Sequence, residues 1–161
     1  MRVLITGGAG FIGSHLAERH LNMGDEVDVI DNLSTGSIEN IQHLEENKRF
    51  NYVIDDVLNV DVVRGLVGNC DLIYHLAAAV GVNFIIENPL SSLISNIRGT
   101  EIILELANEK KRKVVLASTS EIYGKKNGHV PFAEDSDRML GPTTVIRWNY
   151  STSKAVGELF A

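Results

Sequence analysis

A chain of 161 residues, 44% hydrophobic and 22% charged, has enough apolar mass for one domain with a substantial core. Its formal net charge of −6 counts against a general nucleic-acid-binding surface, and its single cysteine, Cys70, excludes an intrachain disulfide or a cysteine-based zinc site. No stretch is long and apolar enough to cross a membrane and no signal-peptide pattern opens the chain, so the expected setting is cytoplasmic.

Arg2 to Ile5 is an apolar run of strand length. Thr6-Gly7-Gly8-Ala9-Gly10-Phe11-Ile12-Gly13 follows, and a helix is predicted from Phe11 to Met23 with Ile12, Leu16, His20 and Met23 at helical spacing. Strand, glycine turn and helix in this order open a dinucleotide-binding βαβ unit. Gly7 permits the tight turn, Gly10 lets the backbone approach a pyrophosphate, and Gly13 lets the helix pack closely on the strand. The exposed N–H groups and positive dipole at the helix start favour phosphate charge. A second strand, Glu26 to Ile30, ends at Asp31, where an acid accepts both hydroxyls of an adenosine ribose.

A short helix is predicted from Ser37 to Glu46, with Ile38, Ile41 and Leu44 at spacing three. Phe50 to Ile54 reads as a third strand ended by Asp55-Asp56, and Asp61 to Val67 as a helix stopped by Gly68-Asn69. Asp71 to Leu76 is a fourth strand running into Ala77-Ala78-Ala79. A long helix runs from Pro89 to Glu109. Its stripe of Leu90, Leu93, Ile94, Ile97 and Leu104 leaves Ile102 and Leu106 on a second side, for which a second subunit is the expected neighbour. Lys110-Lys111-Arg112-Lys113 reads as a solvated helix end. Val114 to Ala117 is a fifth strand, Lys125 to Thr144 a turn-rich loop, and Val145 to Ala161 a final helix. Alternating βα units predict a Rossmann-type doubly wound parallel sheet of about five strands, with the site beyond the carboxyl ends of the strands.

Tyr150 and Lys154 share one face of the last helix. An ammonium beside a phenol favours phenolate, and such a tyrosine can take a proton from a sugar hydroxyl while hydride leaves its carbon. His75 reads as a satisfied core histidine. Asp56 could cap the next helix, and Asn96 is open between a buried polar role and a site role.

With these stretches in family order, together with Asp31-Asn32-Leu33, Asp56-Val57, His75-Leu76-Ala77-Ala78, Asn96-Ile97-Arg98-Gly99-Thr100 and Ser118-Thr119-Ser120-Glu121-Ile122-Tyr123-Gly124, the chain resembles the extended short-chain dehydrogenase/reductase family. The likeness is to its NAD-dependent epimerase/dehydratase branch, which acts on nucleotide sugars. The resemblance implies that Gly7, Gly10, Phe11, Ile12 and Gly13 hold the pyrophosphate of NAD. Asp31 and Asn32 hold the ribose, Asp56 and Val57 meet the adenine, and Leu76, Ala77 and Ala78 run alongside. It makes Tyr150 the base, Lys154 its tuner and a cofactor contact, and Thr119 a partner of the reacting hydroxyl. Dehydratase members carry Asp-Glu after that threonine. Ser120-Glu121 here is similar to UDP-glucuronate decarboxylases and also occurs in epimerases, so both reactions stay open, as does a plain strand-end carboxylate.

The family is about twice this long, with a carboxyl-terminal substrate domain that has no counterpart after Lys154. The chain is therefore expected to be the NAD-binding part, either a fragment of a longer protein or a truncated one, poorly active or inactive alone, with a UDP-sugar as partner of the full-length form. The resemblance implies a homodimer through the helices holding Asn96 and Tyr150. The alternative is a non-catalytic NAD-binding or redox-sensing module on the same fold.

Overall fold

A computed structural model describes residues 1–125 and 131–161; the predicted loop over 125–144 therefore lies partly outside the described residues. Strands β1 (Arg2–Thr6), β2 (Glu26–Asp31), β3 (Phe50–Ile54), β4 (Leu72–His75) and β5 (Lys113–Leu116) form one parallel sheet. Its order is β3-β2-β1-β4-β5. The helices are α1 (Phe11–Asn22), α2 (Val60–Asn69), α3 (Val82–Glu87), α4 (Pro89–Lys110) and α5 (Trp148–Phe160). The architecture is the Rossmann-type one expected. The chain builds outward from β1 to β3, then crosses to β4 and β5 on the other side. The crevice at the carboxyl ends of β1 and β4 is the switch point where such sheets bind ligands.

Alternation along the strands divides the core in two. Leu4, Ile30 and Ile73 point to one face and pack with Val63, Val67, Ile102, Ile103 and Leu106. Val3, Ile5, Val27 and Val29 point to the other and pack with Ala17, Leu21, Ile41 and Leu44.

The faces of two helices differ from those expected. In α1 the buried residues are Gly13, Ser14, Ala17, His20 and Leu21, while Ile12 and Met23 are exposed. Small residues let the helix sit close to the sheet, so size and not hydrophobicity chose the inner face. In α4, Ile102 and Leu106 belong to this chain's own core, and it is Leu90 and Ile94 that are exposed. The side predicted to await a subunit is thus filled from within, because α2 packs on α4 there.

The segment predicted as one helix over 37–46 forms two 3₁₀ turns, Ile38–Asn40 and Gln42–Leu44. Spacing three is the period of that tighter helix. α2 runs through Gly68-Asn69 instead of stopping before them, and Asn59 caps its start by accepting from the Val62 N–H. Asp56 is therefore not the cap. α3 is an element the sequence reading did not contain, and α5 begins at Trp148, after turns at 143–147. Among the described residues no strand pairs with the outer edge of β5, where Val115 is 41% exposed.

Candidate functional site

A cavity of about 410 Å³ opens along the carboxyl ends of the strands. From the end of β2 to the end of β5 it spans three strand spacings, about 14 Å. Gly7, Gly10, Phe11, Ile12, Gly13, Asp31, Asn32, Asp56 and Val57 line it, and so do Leu76, Ala77, Ala78, Tyr150 and Lys154. Every residue expected to touch the cofactor is therefore brought to one space.

The glycine turn is shaped by close approach. Gly7 has φ of +72°, and a Cβ there would lie 2.8 Å from the Ala77 nitrogen, where β1 and β4 diverge. A Cβ on Gly13 would strike the Gly7 carbonyl. Gly10 is the N-cap of α1 and no side chain caps that helix, so the first N–H groups and the dipole remain directed at a ligand. Asp31 holds the turn from the side: one carboxylate oxygen accepts from the Ala9 N–H at 2.9 Å, the other from the Leu33 N–H at 2.8 Å. The Ala9 carbonyl accepts from Ser37 N–H and from Asn40 Nδ2, fixing the next peptide of the turn as well. Asn32 Nδ2 donates to Asp56 at 2.8 Å, and the other Asp56 oxygen accepts from the Leu58 N–H, tying the ends of β2 and β3 together. Uncapped helix N–H groups, glycines that leave room for backbone approach and a buried acid at the end of β2 fit the pyrophosphate and ribose of a dinucleotide.

At the other end, Lys154 is buried and donates from Nζ to the Ala117 carbonyl at 2.8 Å. Burial lowers its pKa to about 8. Tyr150 moves opposite to the tuning expected: burial, and then the charge of Glu121, push its phenol above the ordinary value. Thr119, Ser120 and Glu121 are not among the residues lining the cavity. Thr119 begins a 3₁₀ turn (Ser120–Tyr123), and its Oγ1 accepts from the Glu121 N–H at 3.2 Å. Glu121 is exposed beside the mouth, where its charge reaches Tyr150. Ser151 Oγ donates to the Glu121 carbonyl at 2.7 Å and anchors that turn to α5.

Several lining residues were not singled out from sequence. Gly36 packs under Asp31, where a Cβ would sit 3.1 Å from Oδ1; its signal was the turn-forming run after Asp31. Phe84 comes from α3 and had none. Asn96 and His75 stand behind the wall. Asn96 bonds both polar atoms of Ala79, and His75 is fully buried between two threonines.

A parallel sheet with a glycine turn at its switch point, an acid closing β2 and a Tyr–Lys pair at the far wall defines a Rossmann-type domain of the short-chain dehydrogenase kind. The family model described as GDP-mannose 4,6 dehydratase matches residues 4–161, and the chain belongs to that family. It is 42% identical over 157 residues to a UDP-N-acetyl-alpha-D-glucosaminuronate decarboxylase of Bacillus cytotoxicus, covering 98% of this chain and 48% of that protein. It is also 42% identical over 157 residues to UDP-glucuronic acid decarboxylase 1 of Danio rerio, covering 98% of this chain and 36% of that protein. The crystal structure of UDP-glucuronic acid 4-epimerase from Bacillus cereus, in complex with UDP-glucuronic acid and NAD, superposes with a TM-score of 0.85 at 35% identity. That match covers 99% of this chain and 51% of the other. The chain spans about half the length, or less, of the relatives it matches.

Proposed function

We propose that residues 1–161 form the NAD-binding domain of a cytoplasmic NAD-dependent enzyme that works on UDP-uronates, with the sugar gripped by a substrate domain elsewhere in the whole protein. The observation that carries this reading is that Tyr150 and Lys154 line the same cavity as the glycine turn and Asp31. Two matched decarboxylases are named for uronate substrates, and the epimerase structure holds UDP-glucuronic acid.

Bound NAD would supply the hydride acceptor for a sugar carbinol and the donor that later restores it. The N–H groups of the turn from Gly7 to Gly13 would hold its pyrophosphate, and Asp31 with Asn32 its adenosine ribose. Asp56 and Val57 would flank the adenine, and Leu76, Ala77 and Ala78 would lie along its length. The charge on Asp31 would disfavour a 2′-phosphate, and so NADP. Tyr150 would receive the carbinol proton at its phenolic oxygen, and the Thr119 hydroxyl would hydrogen-bond the reacting sugar hydroxyl. The free chain holds Tyr150 as a phenol, since its pKa is raised. Added positive charge at the site would lower it. Lys154, one turn further along α5, would supply part of that charge and fix the nicotinamide ribose.

Ser120 and Glu121 favour decarboxylation over dehydration, because the Asp-Glu pair that the family resemblance assigns to dehydratases is absent. Epimerisation is the second reading, favoured by the Bacillus cereus neighbour. Leu90 and Ile94, exposed on α4, support a homodimer through the helices holding Asn96 and Tyr150, and sedimentation of Leu90→Glu against the unchanged chain tests it.

Titrating the chain with NAD and NADP, and then adding UDP-glucuronate to the full-length protein while following reduced nicotinamide and released CO₂, tests the central reading. We expect NAD to bind more tightly than NADP, and reduction to follow addition of sugar. Binding without reduction in the full-length protein would favour the non-catalytic NAD-binding or redox-sensing module. No NAD binding would defeat both readings. Glu121→Gln should abolish CO₂ release and spare epimerisation; retained CO₂ release would remove Glu121 from the chemistry.

A further inference from the structure

Behind the inner wall of the cavity runs a line of buried polar groups that the proposed reaction does not use. Thr6 and His75 are register partners across β1 and β4. Thr6 Oγ1 lies 2.7 Å from His75 Nδ1, and His75 Nε2 lies 3.2 Å from Thr100 Oγ1 on α4. All three residues are buried, with His75 1% exposed.

The ends of this line fix the direction of each proton. The Thr100 hydroxyl donates to the main-chain carbonyl of Asn96 at 2.7 Å, so its oxygen is left to accept the His75 Nε2–H. His75 Nδ1 is then an acceptor and takes the Thr6 hydroxyl proton. Thr6 Oγ1 in turn accepts the Ala77 N–H at 3.1 Å. A protonated imidazole would put two donors where the line has room for one. Burial agrees, pushing the His75 pKa down to about 3, with the Lys154 charge acting in the same direction.

The line ends on the Asn96 main chain, and the Asn96 side chain makes a second set of bonds that reaches α5. Its Oδ1 accepts the Ala79 N–H at 2.7 Å, and its Nδ2 donates to the Ala79 carbonyl at 3.3 Å and to Ser153 Oγ at 3.2 Å. Ser153 Oγ donates to the Tyr150 carbonyl at 2.9 Å. The Thr6 end of the line therefore holds Ala77, and the Asn96 end holds both Ala79 and the turn of α5 between Tyr150 and Lys154; Ala77 and Ala79 line the cavity. Apolar side chains could fill the same volume but would fix no direction. A fully satisfied directional network specifies one arrangement of the elements it joins.

We propose that the one-way hydrogen-bond relay from Thr6 through His75 and Thr100 to the Asn96 main chain, with the Asn96 side chain clamping Ala79 to Ser153, keeps the Ala77–Ala79 wall in register with the helix bearing Tyr150 and Lys154. Thr6, His75, Thr100 and Asn96 are positioning residues. The purpose of the relay rests on reading the cavity as a NAD site; its existence does not. Thr100→Val keeps the shape and removes the hydroxyl, Thr100→Ser returns it, and Ile103→Val is a neighbouring core control.

Amide hydrogen exchange on the ligand-free chain reads the relay directly. Thr100→Val should speed exchange at Ala77 and Ala79 by about tenfold, although it bonds to neither, and weaken NAD binding by about tenfold. Thr100→Ser should restore both, and Ile103→Val should leave both unchanged while lowering Tm. Ser153→Ala, which touches only the α5 end, should speed exchange at Ala79. Unchanged exchange at Ala79 in Ser153→Ala would overturn the relay. So would exchange at Ala77 and Ala79 that is unchanged in Thr100→Val or equally fast in Ile103→Val. An unmutated chain that binds no NAD would remove the cavity reading, and the exchange results would still decide the relay.

Discussion

The two ends of the cavity are built in different ways. At the glycine-turn end the polar groups are tied down by local backbone: both oxygens of Asp31 accept from main-chain N–H groups, and the Ala9 carbonyl accepts from Ser37 and Asn40. At the Tyr150 end the groups sit in tension with their surroundings. Lys154 is buried with one carbonyl partner and a lowered pKa, Tyr150 is raised, and Glu121 stands exposed nearby. The first end is a finished binding surface. The second stores unfavourable electrostatics of the kind that functional sites carry, which a ligand's charge would relieve.

Substitutions at the two ends should therefore move stability in opposite directions. The largest effect is expected at the rigid end: Gly13→Ala drives a Cβ into the Gly7 carbonyl, should cost about 3 kcal/mol in chemical denaturation, and should abolish NAD binding in a calorimetric titration. Tolerance of this change would show that the turn is softer than its packing implies.

Smaller per unit of pH is the effect at His75, which lies between the two ends. Its folded pKa, about 3, is below the ordinary 6.5, so the unfolded chain binds the proton first. Its contribution is complete above pH 6.5 and is lost as pH falls toward 3, with a slope of up to about 1.4 kcal/mol per pH unit. Denaturant midpoints measured down this range should fall more steeply for the unmutated chain than for His75→Gln.

Lys154→Met tests the tension at the far end. Removing a buried charge should stabilise the ligand-free chain by roughly 2 kcal/mol at neutral pH while eliminating sugar-dependent reduction of NAD. A loss of stability instead would mean that the Ala117 bond outweighs the desolvation. The smallest effect is expected for Asp31→Asn. It keeps one backbone acceptor, so it should cost about 1 kcal/mol of stability, weaken NAD about tenfold and narrow the preference over NADP. Equal NAD and NADP affinities in the unmutated chain would remove Asp31 from the selection.

Much of the rigid end could be read from the sequence. Gly7, Gly10, Gly13 and Asp31 belong to one βαβ unit, and their roles follow from turn geometry and strand-end position within about thirty residues. The Tyr150–Lys154 pair was visible because helical spacing alone puts the two on one face. Thr119, Ser120 and Glu121 were visible as a motif but not as a place: the 3₁₀ turn that starts at Thr119 follows directly on Ser118, which lines the cavity, and the charge of Glu121 reaches Tyr150. Phe84 was missed because α3 is six residues long with no side-chain cap at its start.

The sequence by itself determined the five strands and their alternation with the main helices, the phosphate-binding turn, the acid after β2 and the Tyr–Lys pair. These depend on backbone preferences and periodicities written in neighbouring residues. Only the tertiary structure decided that Ala17 and not Ile12 faces the sheet, that Ile102 and Leu106 fill this chain's own core, and that Asp31 braces the Ala9 peptide. It also decided that Thr6 meets His75 across 69 residues and that burial shifts Lys154 and Tyr150 in opposite directions. Burial and partner choice are properties of contacts between distant segments. They come into being only when the sheet brings those segments together.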